Sequence, residues 1–456
     1  MLKCLSQHIG FPLIDLMMGT NRLKDLRDYE RSQWYSAAEL ENLQNEKLAR
    51  LVDHAYRTVP YYSDIMRQHK LKPDDIRTVG DLQKLPILTR QIAQREKDRL
   101  VSTVARRKNL VIKSTGGSTG EPLVFLIERE YIGISAAALC RALTWIGWTP
   151  GDPIATLWGQ PVAQSRFRRI RKRTSQWLTN VVSMDSFKLS DEQLREYAGR
   201  LLALQPAVLR GYVSSLVRLA RYLERHGIES VHPNGISTTA EVLHQVDRDL
   251  LGRQFGCRVF DQYGCCEVLA VAAECAAHTG MHVNSERVVL EVIRAGEPSD
   301  PGVDGEVVLT DLDKLAMPFI RYANGDRARF AGQLCPCGRK LPLLSQVLGR
   351  VVDIIVGPSG KAVHGEFFTH LLQEEGWFST YGVREFQAIQ SAPSKLAVDV
   401  VCEQQPSSDA IMELTRRIQS YLGLMEISVN QCSAIDRGPS GKYRFTRSDC
   451  PASSSA

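Results

Sequence analysis

Between residues 150 and 260 the sequence alternates short apolar runs with longer amphipathic ones, which restricts the possible folds more than any other feature. The short runs have the length of buried strands, and the longer ones have the period of helices with one apolar face. This alternation favours an α/β domain with a largely parallel sheet. The predicted strands are Ile154–Trp158, Val208–Arg210, Ile236–Thr238 and Arg258–Phe260, and the predicted helices are Ser190–Leu204, Ser214–His226 and Leu243–Phe255.

A glycine-rich stretch, Ser114–Pro122, lies between two further predicted strands. Glycine allows backbone N–H groups to converge on a phosphate, and Ser and Thr hydroxyls add donors. The stretch is not a Walker loop, because no Gly-Lys-Ser/Thr follows it. Taken alone, it fits either a phosphate cradle or an ordinary hairpin turn.

The pattern changes beyond Val288. Two β-type runs, Val288–Ile293 and Glu306–Thr310, are joined by a turn-rich segment and predict an antiparallel β subdomain at about residues 285–345. Two further helices and several short strands follow Gly349 and predict a small α+β domain. We therefore expect a large N-terminal α/β domain at residues 1–348 and a small C-terminal domain at 349–456.

Size and composition indicate a globular protein of more than one domain. The chain has 456 residues, 43% of them hydrophobic and 24% charged. No apolar run approaches the ~20 residues that cross a bilayer. The N-terminus carries Lys3 and Asp15 and has no small-residue cleavage site, so we expect a cytoplasmic protein. A surface helix at the N-terminus would pack on the main body or touch a membrane or partner.

The net charge is +6, and Arg166–Arg173 holds six basic residues in eight. Such a run either binds an anionic partner or forms a solvated helix face. No nucleic-acid-binding motif accompanies it, so no nucleic acid is expected. The eleven cysteines are odd in number and scattered, which argues against structural disulfides.

Five motifs occur in one order along the chain, and together they resemble the signature motifs of adenylate-forming enzymes, the superfamily of acyl-CoA synthetases. They are Ser114–Pro122, Tyr263–Glu267, Tyr322–Asp326, Gly349–Asp353 and Pro439–Arg444.

Three further stretches are similar to the phenylacetate–CoA ligase and CapK-like branch of that superfamily. They are Val59–Tyr62, Gly211–Ser215 and Cys335–Arg339. The resemblance implies the adenylate-forming fold, with a small C-terminal domain that moves between two half-reactions.

The resemblance also implies roles at a nucleotide site. Activating a carboxylate with ATP requires donors, a cation and a metal around the phosphates. The triphosphate would be held by Ser114, Thr115, Gly116, Gly117, Ser118, Thr119 and Gly120.

For the nucleoside and the metal, the resemblance implies a second group of residues. The Ala240–Glu241 loop and Tyr263–Gly264 would flank adenine, and Asp326 would bind the ribose hydroxyls. Arg350 would lie near the ribose and phosphate, and Glu267 would ligate Mg²⁺.

In the small domain, Lys442 would be the catalytic cation, because a point charge on a flexible stem can reach the α-phosphate. Asp353 would lie at or near the hinge. Three positions depart from the family pattern, since Cys266 replaces Thr or Ser, and Ala323 and Asn324 replace Arg and Thr.

Cys275, His282, Cys335 and Cys337 suggest a structural Zn²⁺ site, since three thiolates and one imidazole suit a closed tetrahedron. Relatives in this branch carry a similar set. The alternative is that Cys275 and His282 only pack while Cys335–Cys337 forms a turn. Cys265 and Cys266 are competing ligands.

The expected function is therefore an AMP-forming acid–CoA ligase that uses ATP, Mg²⁺ and CoA on an aryl or other small organic acid. Acyl transfer to a non-CoA acceptor in surface-polysaccharide or secondary-metabolite biosynthesis is an alternative, as is AMP transfer to a phenolic deazaflavin coenzyme. A third alternative is an inactive nucleotide-binding scaffold. A monomer and a homodimer are both open.

Overall fold

The chain divides into two compact units. Unit 1 comprises residues 1–324 and 328–347, and unit 2 comprises residues 325–327 and 348–456. The structure is a computed structural model, and it describes residues 2–114, 123–159, 166–186, 189–228, 231–350, 355–359, 361–363, 365–435 and 445–450.

Helices account for most of the first hundred residues and cover the central sheet. The α-helices are α1 Leu2–Leu5, α2 Phe11–Met18, α3 Arg22–Ser32, α4 Ala37–Thr58, α5 Pro60–Gln68, α6 Arg90–Arg95, α7 Arg129–Thr144, α8 Arg166–Leu178, α9 Asp191–Leu204, α10 Val213–Arg225, α11 Gln245–Phe255, α12 Gly365–Glu374, α13 Trp377–Thr380 and α14 Ser408–Leu422. A π-helical turn, Ser6–Gly10, joins α1 to α2, and short 3₁₀ turns lie at Pro73–Asp75, Val79–Lys84 and Arg107–Asn109.

The strands follow the same chain order. They are β1 Leu110–Ser114, β2 Val124–Glu128, β3 Ile154–Trp158, β4 Val181–Asp185, β5 Val208–Tyr212, β6 Gly235–Thr239, β7 Arg258–Tyr263, β8 Ala272–Glu274, β9 Met281–Val283, β10 Val288–Arg294, β11 Glu297–Pro298, β12 Gly305–Asp311, β13 Tyr322–Phe330, β14 Leu343–Arg350, β15 Ile355–Val356, β16 Ala362–Val363, β17 Glu385–Ala392, β18 Lys395–Val401, β19 Glu426–Gln431 and β20 Thr446–Ser448.

A twelve-stranded mixed sheet forms the centre of unit 1, in the order β11-β10-β12-β13-β14-β9-β8-β7-β6-β5-β3-β4. The five strands from β7 to β4 are parallel, as the alternating sequence predicted. Strands β10 and β12 pair antiparallel, also as predicted. The β-rich residues 285–345 continue the main sheet through the β14–β9 pairing.

One face of the parallel strands is apolar and is covered by α9, α10 and α11. Ala155, Leu209, Ile236 and Val259 lie in register on this face and belong to one core cluster with the buried stripe of α10. Burying each such side chain contributes about 1.5–3 kcal/mol, and this explains why the periodic segments adopt the predicted elements.

Helix starts follow local capping chemistry. The hydroxyl of Ser36 accepts from the N–H of Glu39, whose carboxylate accepts from the N–H of Ser36, so α4 begins with a capping box. Ser190 and Gln193 form the same arrangement at α9. Helix α5 was not predicted, because Pro60 indicated a chain break; proline instead occupies the first helical turn, where no N–H partner is needed.

A buried ion pair attaches α7 to the sheet, and a second one lies within the sheet region. Arg141 is fully buried and pairs with the buried Glu286, which also accepts a hydrogen bond from Ser32 Oγ at 2.8 Å. Arg287 pairs with Asp311 at 3.4 Å, and neither side chain is exposed. Because each charge is desolvated, removing one partner leaves the other uncompensated.

Unit 2 has its own core and sheet. Four strands in the order β19-β18-β17-β20 pack against α12 and α14, with Phe368, Trp377, Leu414 and Ile418 buried between them. The α+β composition predicted for this part of the chain is observed. The final strand, β20, was not predicted.

No helix in the described ranges is both long enough and apolar enough to span a membrane. The basic run lies on α8, whose Arg171 and Arg173 are exposed. All eleven cysteines fall in the described part of the chain, and all are free thiols, as expected.

We predict that Glu286→Gln lowers the apparent free energy of unfolding of unit 1 by about 3–5 kcal/mol, because Arg141 would remain buried opposite a neutral amide. Urea titration followed by tryptophan fluorescence measures this. Asp28→Asn is the control, since it weakens only exposed pairs, with Lys24 and Arg31, and should cost less than about 1 kcal/mol. Equal effects of the two substitutions on the free energy of unfolding would contradict the larger contribution proposed for the buried Arg141–Glu286 pair.

Candidate active site

The carboxyl ends of the parallel strands collect several of the predicted site residues. Strand β6 ends at Thr239, directly before Ala240 and Glu241, and β7 ends at Tyr263, directly before Gly264. Ligands of open α/β sheets bind at this edge, since the loops leave the sheet there. The predicted nucleoside contacts from these two strands therefore share one edge.

The Ala240–Glu241 loop has a strained backbone. Ala240 has φ of 71°, a left-handed conformation that costs a non-glycine residue of the order of 1–3 kcal/mol. The Glu241 carboxylate accepts from the N–H and Oγ of Ser214, at 2.7 and 3.0 Å. It thereby caps α10, so Glu241 holds the loop in position through its side chain.

Tyr263 and Asn324 meet in the interior. The Asn324 side-chain amide donates to the Tyr263 hydroxyl at 2.8 Å, and both residues are buried. Asn324 is one of the departures from the family pattern, and the structure assigns it this contact. Gly325 follows with φ of 81°, which a residue with a Cβ rarely adopts, and precedes the buried Asp326 in β13.

Glu267 is buried among donors and cations. Tyr322 donates to Glu267 Oε1 at 3.0 Å, and an Arg90 guanidinium nitrogen lies 3.5 Å from the same atom. Lys314 donates to the Glu267 carbonyl at 3.3 Å. A carboxylate in such surroundings is an oxygen donor suited to a hard cation such as Mg²⁺.

Lys314 is an unusual neighbour of Glu267. It is fully buried, and its ammonium lies 3.6 Å from the ring centroid of Phe319 and 4.3 Å from that of Phe125. Burial lowers the pKa of Lys314 to about 7, against the opposing attraction of Asp311. The sequence carried no signal for this residue or for Arg90. Tyr322 could have been noted, since it opens a recognised motif.

Other candidates are only partly visible. Ser114 is the exposed last residue of β1, and Arg350 is the last residue of β14. The remaining loop residues Thr115, Gly116, Gly117, Ser118, Thr119 and Gly120, together with Asp353 and Lys442, lie outside the described residues.

The four predicted zinc ligands converge. The potential ligand atoms of Cys275, His282, Cys335 and Cys337 all lie within 4.8 Å of one another. Cys275 Sγ is 3.6 Å from Cys335 Sγ, and Cys337 Sγ is 3.3 Å from His282 Nε2. Ligands around a tetrahedral zinc ion are separated by about 3.3–3.8 Å, given bond lengths of about 2.0–2.3 Å.

The ionisation of this cluster fits metal binding. Burial, with the charge of Arg339, lowers the pKa of His282 to about 4, so the ring is neutral at pH 7 and free to ligate. Burial raises the pKa of Cys275 to about 12, so a cation is needed for its thiolate to form. Cys265 and Cys266, the competing ligands, are not part of the cluster.

The group of Cys275, His282, Cys335 and Cys337 lies in a packed junction between helices and the sheet. His282 lies on β9 and packs edge-on against Trp145 at 5.5 Å, while Arg339 stacks on the same indole. Leu40 of α4 belongs to this apolar cluster. The four candidate ligands thus connect the helical N-terminal part to the sheet. If they bound one zinc ion, they would fill all four positions of a tetrahedral site and leave none open.

Comparison with known proteins identifies relatives over most of the chain. The family model of the CapK C-terminal domain matches residues 355–449. Protein CapK of Staphylococcus aureus is 26% identical over 423 residues, covering 89% of both chains. Phenylacetate–coenzyme A ligase of Escherichia coli (strain K12) is 27% identical over 332 residues, covering 70% of this chain and 73% of the relative.

A solved structure shows the same fold. The crystal structure of 2-hydroxyisobutyryl-CoA ligase in the postadenylation state, in complex with R3-HIB-AMP, superposes with a TM-score of 0.74 at 19% identity, covering 92% of each chain. At this identity the likeness concerns the fold alone. Together with the sequence relatives it confirms the resemblance predicted from the motifs: over most of its length the chain is similar to phenylacetate–CoA ligases and to CapK, and its fold is that of a solved acid–CoA ligase.

Proposed function

We propose that this protein adenylates a carboxylic acid with ATP, releasing pyrophosphate, and then transfers the acyl group to CoA with release of AMP. The homology to phenylacetate–CoA ligases supports acid activation and CoA ligation. The fold supports it as well, since the structural relative carries an acyl adenylate.

One observation carries this proposal: buried polar groups of two motifs meet in two side-chain hydrogen bonds. Tyr263 contacts Asn324, and Glu267, four residues further on, contacts Tyr322 of the same strand as Asn324. The strained Ala240 directly follows β6, the strand that pairs with β7, which ends at Tyr263. Such strain and buried polarity concentrate at functional sites rather than in ordinary cores.

Within this site we assign roles as follows. The Ala240 loop and Tyr263 flank adenine, Asp326 accepts from the ribose hydroxyls, and Glu267 ligates Mg²⁺. The metal, when bound, offsets phosphate charge. The loop from Ser114 to Gly120 supplies donors to the triphosphate.

The remaining roles lie in the second part of the chain. Lys442 supplies the positive charge that stabilises the α-phosphate and the attacking carboxylate during adenylation. Arg350 binds near the ribose and phosphate, and Asp353 lies at the hinge. We further propose that units 1 and 2 are the large and small domains, and that the protein acts in the cytoplasm as a monomer or homodimer.

A specific observation favours a second candidate function, acyl transfer to an acceptor other than CoA. The family model that matches residues 355–449 is that of the CapK C-terminal domain, although CapK and the phenylacetate–CoA ligase of Pseudomonas putida cover nearly equal shares of this chain, 89% and 88%. Because the acceptor enters in the second half-reaction, the small domain is where CapK-like chemistry would differ.

We also propose that Cys275, His282, Cys335 and Cys337 hold a structural Zn²⁺. The 3.3 and 3.6 Å spacings of the ligand atoms and the neutral imidazole support this. The site joins the sheet to α7 and therefore stabilises the fold rather than taking part in catalysis.

We predict that Lys442→Ala lowers acid-dependent ATP–pyrophosphate exchange by about 100-fold or more, because the transition-state charge loses its counter-ion. Lys395→Ala is the matched control, since Lys395 is an exposed lysine of the same unit and should leave exchange unchanged. Normal exchange in Lys442→Ala would remove that assignment. If the wild type binds ATP but exchanges with no acid, the protein is a scaffold or transfers AMP to another substrate.

A separate measurement identifies the molecule that accepts the acyl group. With an acid that supports exchange, mass spectrometry after CoA addition should detect an acyl-CoA and AMP in equal amounts. An acyl adenylate that persists in the presence of CoA would instead favour the non-CoA acceptor.

Purified without chelator, the protein should contain about one zinc per chain, and Cys335→Ser should lose it together with several degrees of thermal stability. Acidification should release the metal, because the thiolates and His282 become protonated. Cys432→Ser is the control, since this cysteine lies in unit 2. A zinc-free wild type, or retention of zinc in Cys335→Ser, would contradict the site.

A further inference from the structure

One face of the parallel sheet changes character along the strands. Near the strand beginnings, Ile154 and Val208 pack against apolar side chains of the N-terminal helices and α7; Phe260 packs there too, although it lies further along the face, beside Ser237. Two residues further along the same face, the register places Thr156 beside Arg210 and Arg210 beside Ser237. The face is therefore apolar at one end and polar at the carboxyl end, where the candidate active site lies.

At the edge of this polar region the groups satisfy one another. The Thr156 hydroxyl donates to Ser183 Oγ at 3.0 Å, and Gln176 of α8 donates to the same oxygen at 2.6 Å. These contacts close the network between β3 and β4.

On β6 and β7, by contrast, two buried polar groups have no hydrogen-bond partner among the described residues. Ser237 is fully buried, Gln262 is only 8% exposed, and neither the Ser237 hydroxyl nor the Gln262 amide nitrogen has a partner among the described residues. An unpaired buried donor costs about 1–3 kcal/mol. Two such donors on neighbouring strands indicate a ligand that accepts from them.

Arg210 adds a third donor. Its guanidinium carbon lies 4.8 Å above the Trp158 ring, and its Nε donates to Gln262 Oε1 at the long distance of 3.4 Å. Desolvation lowers the pKa of Arg210 to about 10.

The contrast with other buried arginines is informative. Arg141, Arg287 and Arg321 each pair with a carboxylate, whereas Arg210 has none within ion-pair distance in the described ranges. Arg210 is half-buried, and a partly desolvated guanidinium without a counter-ion is costly unless an anion completes it. The side chain also keeps part of its surface accessible, so a ligand can reach it.

We propose that Arg210, Ser237 and Gln262 bind a second carboxylate at the far end of the acid substrate, so that the acid activated here is a dicarboxylic acid. This rests on the proposed adenylation function. All three groups present N–H or O–H donors, and a guanidinium matches a carboxylate in two-point geometry.

The position of these donors fits the substrate path. Ser237 lies three residues before Ala240, and Gln262 lies directly before Tyr263, so the donors adjoin the candidate nucleotide contacts. Trp158 and Tyr212, whose ring centroids are 4.8 Å apart, form an apolar wall beside them. The reacting carboxylate would face the nucleotide, and the second one would face Arg210.

The test compares matched acids in ATP–pyrophosphate exchange: pentanoate with glutarate, and phenylacetate with 4-carboxyphenylacetate. The wild type should prefer the dicarboxylic member of at least one pair by about 100-fold in kcat/KM, since a site built for a polar group rejects the analogue without it. Arg210→Met should remove most of that preference. Arg258→Met, an exposed arginine at the start of β7, is the matched control and should retain it.

Stability supplies a second readout. Because Arg210 has no ion partner, Arg210→Met should not lower the melting temperature, whereas a purely structural arginine would. The dicarboxylate should raise the melting temperature of the wild type and not that of Arg210→Met.

The outcomes are distinguishable. Exchange that favours monocarboxylates and does not respond to Arg210→Met overturns this inference while the adenylation proposal stands. If no acid supports exchange, the adenylation proposal fails, and the thermal shift decides the binding site. Absence of an Arg210-dependent shift with these dicarboxylates then overturns the site as well.

A different surface carries a second, independent inference. Ile9, Leu13, Leu16 and Met17 are exposed on the N-terminal helices at spacings that place them on one face, and Leu16 is 81% exposed. Phe11 and Ile14 face the core instead.

Helix α8 extends this surface. Arg171 of α8 approaches Met18 Sδ at 3.8 Å, so the two helical segments are neighbours. Helix α8 exposes Ile170 and Trp177, two turns apart, together with Arg173. Exposed apolar side chains flanked by basic ones match the interface of an anionic bilayer, in which tryptophan and arginine are favoured.

We infer that this surface docks on membranes that contain anionic lipids. The triple variant Leu16→Ser, Met17→Ser, Trp177→Ser should lose co-sedimentation with vesicles of 30% phosphatidylglycerol in phosphatidylcholine, about the range where basic segments bind. Binding should weaken with salt and be absent for pure phosphatidylcholine. Leu424→Ser, at a residue 84% exposed in unit 2, is the matched control. Failure of the wild type to bind, or self-association through this surface in sedimentation velocity, would overturn the inference.

Discussion

The buried ion pair between Arg141 of α7 and Glu286 is the interaction on which the rest of unit 1 depends. Arg141 pairs with Glu286 at the start of the antiparallel strands, and one turn further Trp145 packs on the metal-cluster residue His282. At the other end of the helix, the Tyr131 hydroxyl accepts from the N–H of Leu269, two residues beyond Glu267. One helix therefore holds the sheet, the predicted zinc site and the candidate active-site loop in register.

The balance between satisfied and unsatisfied polar groups separates structure from function in this molecule. Arginines that hold the fold together have carboxylate partners, because a buried charge without one would cost several kcal/mol. Among the described residues Arg210 has no such partner, and it lies near the Ser237 hydroxyl and the Gln262 amide nitrogen, which also have none there. Desolvated charges and donors need partners, and this rule explains the stability of unit 1. The same rule identifies Arg210, Ser237 and Gln262 as the place where we propose that a ligand binds.

Much of the fold could be predicted from local sequence. Strand β3 was predicted at its observed bounds, and α9 and α10 within one residue at each end, because apolar periodicity is a local property. Helix α5 was missed because proline at a first turn resembles a break. For the candidate site, the motifs identified Glu267 and Tyr263, while Lys314 and Arg90 had no sequence signal, since each is a lone cation until the chain folds around it.

By itself, the sequence determined the α/β class, the order of motifs, the superfamily and the four cysteine and histidine residues that converge. Each of these depends on composition and spacing along the chain. Only the tertiary structure decided that twelve strands join in one sheet, that Asn324 binds Tyr263, and that the half-buried Arg210 has no carboxylate partner in the part of the chain that the structure describes. These facts depend on strand register and on contacts between residues far apart in the chain, and no local periodicity encodes which distant side chain will be the neighbour.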